Sequence, residues 1–204
     1  MNNIIRRHTK PAYKRCAFTG YRPAKMPFGY NEGDPSCVAL KKELYQRIEN
    51  LIGQGYAHFL SGGAMATDTW AAEAVLDLRE KYPWIVLEMV SPFDGQADRW
   101  SADYKARHDR LFDEADIVTI ISHEYSKSCI SRRNRYLVEN ADILLAVYDG
   151  QPGGTAMIVQ YAKDLGLQVQ CVSPRRLSAY KGECPSRMTV KERQSKPASL
   201  PRVL

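Results

Sequence analysis

The segment DILLAVYD, residues 142–149, carries apolar side chains at consecutive positions. A strand facing water on one side alternates apolar with polar, so an unbroken run of this length calls for cover on both faces. That is the signature of a central strand in a parallel sheet. The surrounding chain supplies the cover. RCAFTG (15–20), YAHFLSGG (56–63), WIVLEMVSPF (84–93), DIVTIIS (116–122) and LQVQCVSP (167–174) read as further strands, each short and ending in small or polar residues.

Helical spacing fills the intervals. Residues 38–55 place Val38, Leu40, Leu44, Ile48, Leu51 and Ile52 on one face and close at Gly53 and Gly55. Residues 64–82 form a second helix, with Trp70, Ala74, Val75 and Leu78 on its inward side. Residues 96–115, 132–141 and 156–166 give three more. Strands joined by helices of this length pair in parallel through right-handed crossovers. The expected fold is α/β: an open doubly wound, mostly parallel sheet of about six strands, a Rossmann-like three-layer sandwich.

Charge divides the chain. Residues 1–15 hold five Lys or Arg and no acid, and residues 175–204 hold eight basic side chains against two Glu. Residues 16–174 hold sixteen basic and twenty-one acidic groups, so an acidic body carries basic ends. The expected organisation is a basic extension over 1–12, a folded domain over 13–174 and a basic, disordered tail over 175–204. Basic ends raise nucleic-acid binding as an alternative, which the acidic body weakens. The amino-terminal residues MNNIIRRHTKPAYKR lack the apolar run of a secretory signal, and no stretch suits a membrane span. A cytoplasmic protein is expected. The five cysteines are scattered, odd in number and without a C-x-x-C pair, which reads as reduced thiols. The four histidines are dispersed, so no metal site is expected and the sequence requires no cofactor.

Ligands of such sheets bind at the carboxyl ends of the strands. Those ends carry Thr19, Gly20 and Arg22, then Ser61, Gly62, Gly63 and Ala64, then Pro92 and Phe93, then Gly153, Gly154 and Thr155. Glycines opening a helix let backbone N–H groups approach an anion, and the helix terminus adds a positive dipole end. Two such turns on adjacent strands form an anion pocket more readily than one. Neither is a P-loop or a G-x-G-x-x-G fingerprint. Asp68, one turn into its helix, is placed to accept from ribose hydroxyls, and equally suits a first-turn carboxylate favoured by the helix dipole. In SRRNR (131–135) three arginines cannot all face one ligand; Arg133 and Asn134 are the candidates for a phosphate clamp and a base or ribose contact. Trp100 and Tyr104 are candidate base-flanking aromatics, though aromatics four apart on a helix more often belong to the core.

TGYRP, SGGAMATDTWAAE, the SPF strand end, RRNRYLVENADILLAVYD and the closing GGT resemble, in this order over residues 13–174, the YpsA/YoqJ-like family of the SLOG superfamily. That superfamily includes the LONELY GUY phosphoribohydrolases and DNA-processing protein A. The resemblance implies a nucleotide-type ligand and a phosphate-facing Arg133, which stands eight residues before Ala141-Asp142 as an arginine does in the phosphoribohydrolases. It also admits a homodimer and a protein partner. Two departures matter. The phosphoribohydrolase signature P-G-G-x-G-T-x-x-E is here PGGTAMIVQ, with Gln160 as the nearest polar group in place of the catalytic glutamate. Ala66 stands where YpsA-like proteins carry glycine. A nucleotide-binding sensor is therefore expected ahead of a nucleotide N-glycosidase or phosphoribohydrolase, and ahead of a DNA-binding protein.

Overall fold

A computed structural model describes residues 13–175; the expected basic extension and nearly all of the expected basic tail lie outside them. Six strands alternate with five α-helices: β1 (Lys14–Gly20), α1 (Pro35–Gly53), β2 (Tyr56–Ser61), α2 (Thr67–Lys81), β3 (Val86–Ser91), α3 (Ala102–Glu114), β4 (Ile117–Ile120), α4 (Cys129–Glu139), β5 (Ile143–Val147), α5 (Gly154–Asp164) and β6 (Gln168–Val172). All strand pairs are parallel, in the order β4-β3-β2-β1-β5-β6. The fold is the doubly wound α/β sandwich that the alternation predicts. Right-handed crossovers set α1, α2 and α3 on one face and α4 and α5 on the other, and the helices pack together in those two groups.

The centre of the sheet is fully dry. Every residue of β5 is buried, as its unbroken apolar run requires. The four α2 residues assigned inward, Trp70, Ala74, Val75 and Leu78, are all in the core. Helix α1 starts three residues before its apolar spacing does: Asp34 caps it, its carboxylate accepting from Ser36 N at 2.7 Å, and Pro35 takes the first turn where no N–H is needed. Helix α4 starts at Cys129, three residues before the expected start at 132. Cys16, Cys37 and Cys129 are buried free thiols, whereas Cys171 is disulfide-bonded, so the expectation of reduced thiols does not hold there. Among the described residues, no helix is long and apolar enough to cross a membrane.

Two polar networks fix the helices. Arg107 of α3 bridges Glu73 of α2 and Glu32 of the loop before α1, and Lys41 of α1 also reaches Glu32. Glu73 is thus a half-buried strut. Burial would push the Glu32 carboxyl up, but hydrogen bonds from Arg107 and Lys41 outweigh it and hold the group at about 2. A depressed folded value contributes stability above the unfolded carboxylate range, and that stability is lost as pH falls toward 2. Glu32→Gln is therefore expected to lower Tm at neutral pH, with the gap closing as pH falls below about 4.3. A gap that persists unchanged into acid would contradict the ion-pair account.

The second network sits under α4. Glu88 on β3 accepts from Thr119 and from Tyr136 at 2.8 Å each, and lies 2.8 Å from His58 Nε2. Burial opposes the Glu88 charge, yet these three partners keep its carboxyl below its ordinary value. Tyr136 therefore ties α4 to the sheet less than one turn from Arg133.

Candidate functional site

The connections leaving β1 and β5 run in opposite directions, so the crevice beyond their carboxyl ends is the topological switch point of the sheet. A cavity of about 480 Å³ opens there. The end of β1 supplies Thr19, Gly20 and Arg22; the loop into α2 supplies Ala64 and the first turn of α2 supplies Asp68; α4 supplies Arg133 and Asn134; α5 opens on Gly154 and Thr155. Nine of the sequence-chosen residues thus meet in one place. Of the two glycine turns, one follows β2 and the other β5, and β1 stands between them. The expectation that they sit on adjacent strands is corrected: the pocket spans three strands.

The remaining chosen residues do not line this cavity. Ser61 is fully buried and its hydroxyl is spent inside the turn, donating to the Asp68 carbonyl at 2.9 Å and accepting from Gly63 N at 3.3 Å. Gly62 was expected to leave room for a phosphate. It leaves room for Arg133 instead: a Cβ there would lie 1.3 Å from the guanidinium. Gly63 faces Phe112 and Met89. Gly153 lies against Lys25, whose ammonium donates to the Pro152 carbonyl at 2.9 Å. Pro92 and Phe93 follow β3, two strands from β1, where Phe93 packs edge-on against Tyr125. Trp100 and Tyr104 pack against His108 and Tyr30, away from the cavity.

Arg133 dominates the electrostatics. It is 4% exposed, its Nε has no hydrogen-bond partner, and its terminal NH1 meets Asp68 Oδ2 at 3.4 Å. Asp68 Oδ2 also accepts from Ala64 N at 3.3 Å. Burial pushes the Asp68 carboxyl up and the adjacent Arg133 charge pulls against it. Burial likewise disfavours the Arg133 charge, which Asp68 supports. Arg132 and Arg135 turn elsewhere, to the Ile121 carbonyl and the Tyr161 ring. One arginine of the three faces the cavity, as their spacing around the helix demands.

Two polar lining residues were not among the candidates chosen from the sequence. Lys25 ends a 3-10 turn (Pro23–Lys25) that directly follows Arg22. Tyr21 donates to Asp149 Oδ1 at 2.6 Å and accepts from Gln151 N, which pins the loop after β5 to the end of β1. Extending the TGYRP motif by two residues would have reached Lys25. The cavity thus gathers three cations, Arg22, Lys25 and Arg133, around the single carboxylate of Asp68. Among the described residues no cluster of acids, histidines and cysteines could hold a metal ion.

Gly20 is required for the same architecture. A Cβ there would lie 2.2 Å from Thr67 Oγ1, which donates to the Tyr21 carbonyl, so only glycine lets α2 start against the end of β1. One residue earlier the turn is strained. Ala66 has φ +72°, a conformation that favours glycine. Ala66→Gly should relieve that strain at the cost of extra freedom in the unfolded chain, for a net gain of about 1 kcal/mol. Thermal unfolding checks this: Tm should rise by about 2–4 °C, and a fall would show that the alanine is unstrained.

The YspA SLOG family model matches residues 16–177. The chain belongs to this YpsA family. Its relatives include UPF0398 proteins from Bacillus pumilus, 32% identical over 144 residues (70% of this chain, 77% of the relative), and from Bacillus cereus strain G9842, 31% identical over 156 residues (75% and 84%). Among solved structures, DNA processing protein A from Helicobacter pylori superposes with a TM-score of 0.54 at 16% identity, and that from Streptococcus pneumoniae with 0.54 at 17%. The chain spans 64% and 50% of those two proteins, each match covering 78% of this chain. At such identity the likeness is one of fold. In this YpsA-family chain, Ala66 occupies the strained position and α5 opens without the glutamate of the phosphoribohydrolases.

Proposed function

We propose that this YpsA-family protein binds a nucleotide or nucleotide-derived anion in the switch-point cavity and acts as a sensor or regulatory binding protein. The observation that carries the reading is Arg133. A buried guanidinium with an unpartnered Nε and one long contact to a carboxylate is costly, of the order of several kcal/mol. A bound phosphate would supply the missing acceptor to Arg133 and accept in turn from Arg22, Lys25 and the backbone N–H groups at the start of α5. A cavity of this size suits a small ligand of one or two ring systems.

The carboxylate inventory favours binding over hydrolysis. Glycosidic cleavage ordinarily uses two carboxylates, and Asp68 is the only one among the lining residues. Its Oδ2 is engaged by Arg133 and Ala64 N. The second reading, DNA binding, draws on the single-stranded DNA bound by the Helicobacter pylori protein and on the basic ends of this chain. The acidic body and the bounded cavity at the strand ends support the nucleotide reading better.

A thermal-shift screen against mononucleotides, dinucleotides and a single-stranded oligonucleotide tests this. Stabilisation by a nucleotide, lost on Arg22→Ala, with the ligand recovered intact by chromatography, is the expected result. Breakdown of the ligand would convert the reading to an enzyme. Stabilisation by the oligonucleotide alone would convert it to DNA binding.

A further inference from the structure

The switch-point cavity does not end at α5. It continues between α4 and α5 into a second, open groove of about 410 Å³, and Ile130, Asn134, Gly154 and Ile158 line both. The two halves differ in chemistry. The inner half holds the cations Arg22, Lys25 and Arg133. The outer half is built from two helix faces that oppose one another: Ile130 and Asn134, four residues apart on α4, and Met157 and Tyr161, four apart on α5. The core does not explain the outer apolar groups. Met157 is 71% exposed and Ile130 is 38% exposed, while the buried side of α5 is Ala156, Val159 and Ala162. Lys127 and Arg135 stand at the rim, Arg135 lying 5.9 Å from the Tyr161 ring centroid.

An anion-holding chamber joined to an apolar, aromatic groove matches a ligand with a phosphate at one end and a planar ring system at the other. Either half alone is at the small end of the 300–1,000 Å³ that ligand sites occupy, whereas the joined pair approaches the upper end. We infer that the site takes a two-unit nucleotide, one unit in the inner chamber and the base of the second laid on Met157 and Tyr161. Asn134, at the junction, offers both a donor and an acceptor to the linking unit. The cations at the rim accommodate a second phosphate. This inference rests on the nucleotide reading of the inner cavity and extends it by naming the ligand class.

The test compares AMP with the 5′-phosphorylated dinucleotide pApA by calorimetric titration of the full chain. Covering the exposed Met157 and Ile130 surface should make pApA bind about tenfold tighter than AMP. Met157→Glu, at an exposed position where folding is not at stake, should collapse that ratio to about one; circular dichroism melting confirms the fold. A ten-residue oligo-deoxyadenylate should bind no tighter than pApA. Equal affinity for AMP and pApA in the native chain overturns the inference while leaving the inner site standing. So does a ratio unmoved by Met157→Glu, or an oligonucleotide preferred over pApA by more than tenfold. Failure of every nucleotide to bind overturns the inner-site reading and this inference with it.

Discussion

Asp68→Ala is expected to destabilise the protein by about 3–5 kcal/mol, because it leaves the Arg133 guanidinium buried without its counter-charge. The two side chains are only 9% and 5% exposed, so water cannot take over. In a domain of this size that loss lowers Tm by roughly 10 °C. The effect belongs to the pair, not to the carboxylate: in an Arg133→Met background, where no charge is stranded, Asp68→Ala should cost about 1 kcal/mol. Urea unfolding of the four proteins gives the coupling directly. Additive losses would mean that Asp68 and Arg133 do not depend on one another, and the buried-pair account would be wrong.

Gly62→Ala is expected to be less destabilising and to act by a different route. The added methyl would fall 1.3 Å from Arg133 NH1, 2.4 Å from its Cζ and 2.8 Å from Asp68 Oδ2. The guanidinium must leave its place. Because it is the end of a long side chain, the backbone survives, and the stability loss should be about 1–3 kcal/mol. Ligand binding should fall by at least about tenfold, since Arg133, the buried one of the cavity's three cations, is displaced. The control is internal: Arg133→Met, whose side chain ends short of the vacated space, should make Gly62→Ala nearly harmless to stability. If Gly62→Ala destabilises equally in both backgrounds, the glycine serves the turn alone and the contact with Arg133 is incidental.

These two predictions mark where the sequence could and could not be read. The strand at 142–149 announced its own burial, since no half-exposed strand carries such a run, and the helix lengths between strands forced parallel pairing. The rule that ligands sit at carboxyl ends then led from each strand end to Thr19, Gly20, Arg22, Gly154 and Thr155, all of which line the cavity. Strand order was a different matter. Nothing local in SGGAMATD says that β1, and not β5, lies beside β2, so the two glycine turns looked closer neighbours than they are. The function of Gly62 was illegible for the same reason. A glycine between a strand and a helix is compatible with a phosphate, with a tight turn, or with a side chain arriving from elsewhere, and here the arrival comes from 71 positions along the chain. Ser61 illustrates the complementary error: its hydroxyl suits a ligand, but the Asp68 carbonyl, seven residues on, already uses it.

What remains consistent from sequence to site is the pairing of a small residue with a bulky or charged one brought from another element. Gly20 admits Thr67, Gly62 admits Arg133 and Gly153 admits Lys25. The glycine turns therefore work at one remove, by positioning the groups that line the cavity. Helix α4 is held for this purpose by the Glu88 network through Tyr136, three residues beyond Arg133. Nucleotide recognition in this reading depends on α4 as much as on either glycine loop.

The most direct test is a crystal structure grown with the nucleotide that gives the largest thermal shift. The predicted result is a phosphate at the carboxyl ends of β1 and β5, within hydrogen-bonding reach of Arg22, Arg133 and the backbone N–H groups of Gly154 and Thr155. A ligand found instead at the β3–β4 end of the sheet, among Gln96, His108 and Phe112, would contradict the account.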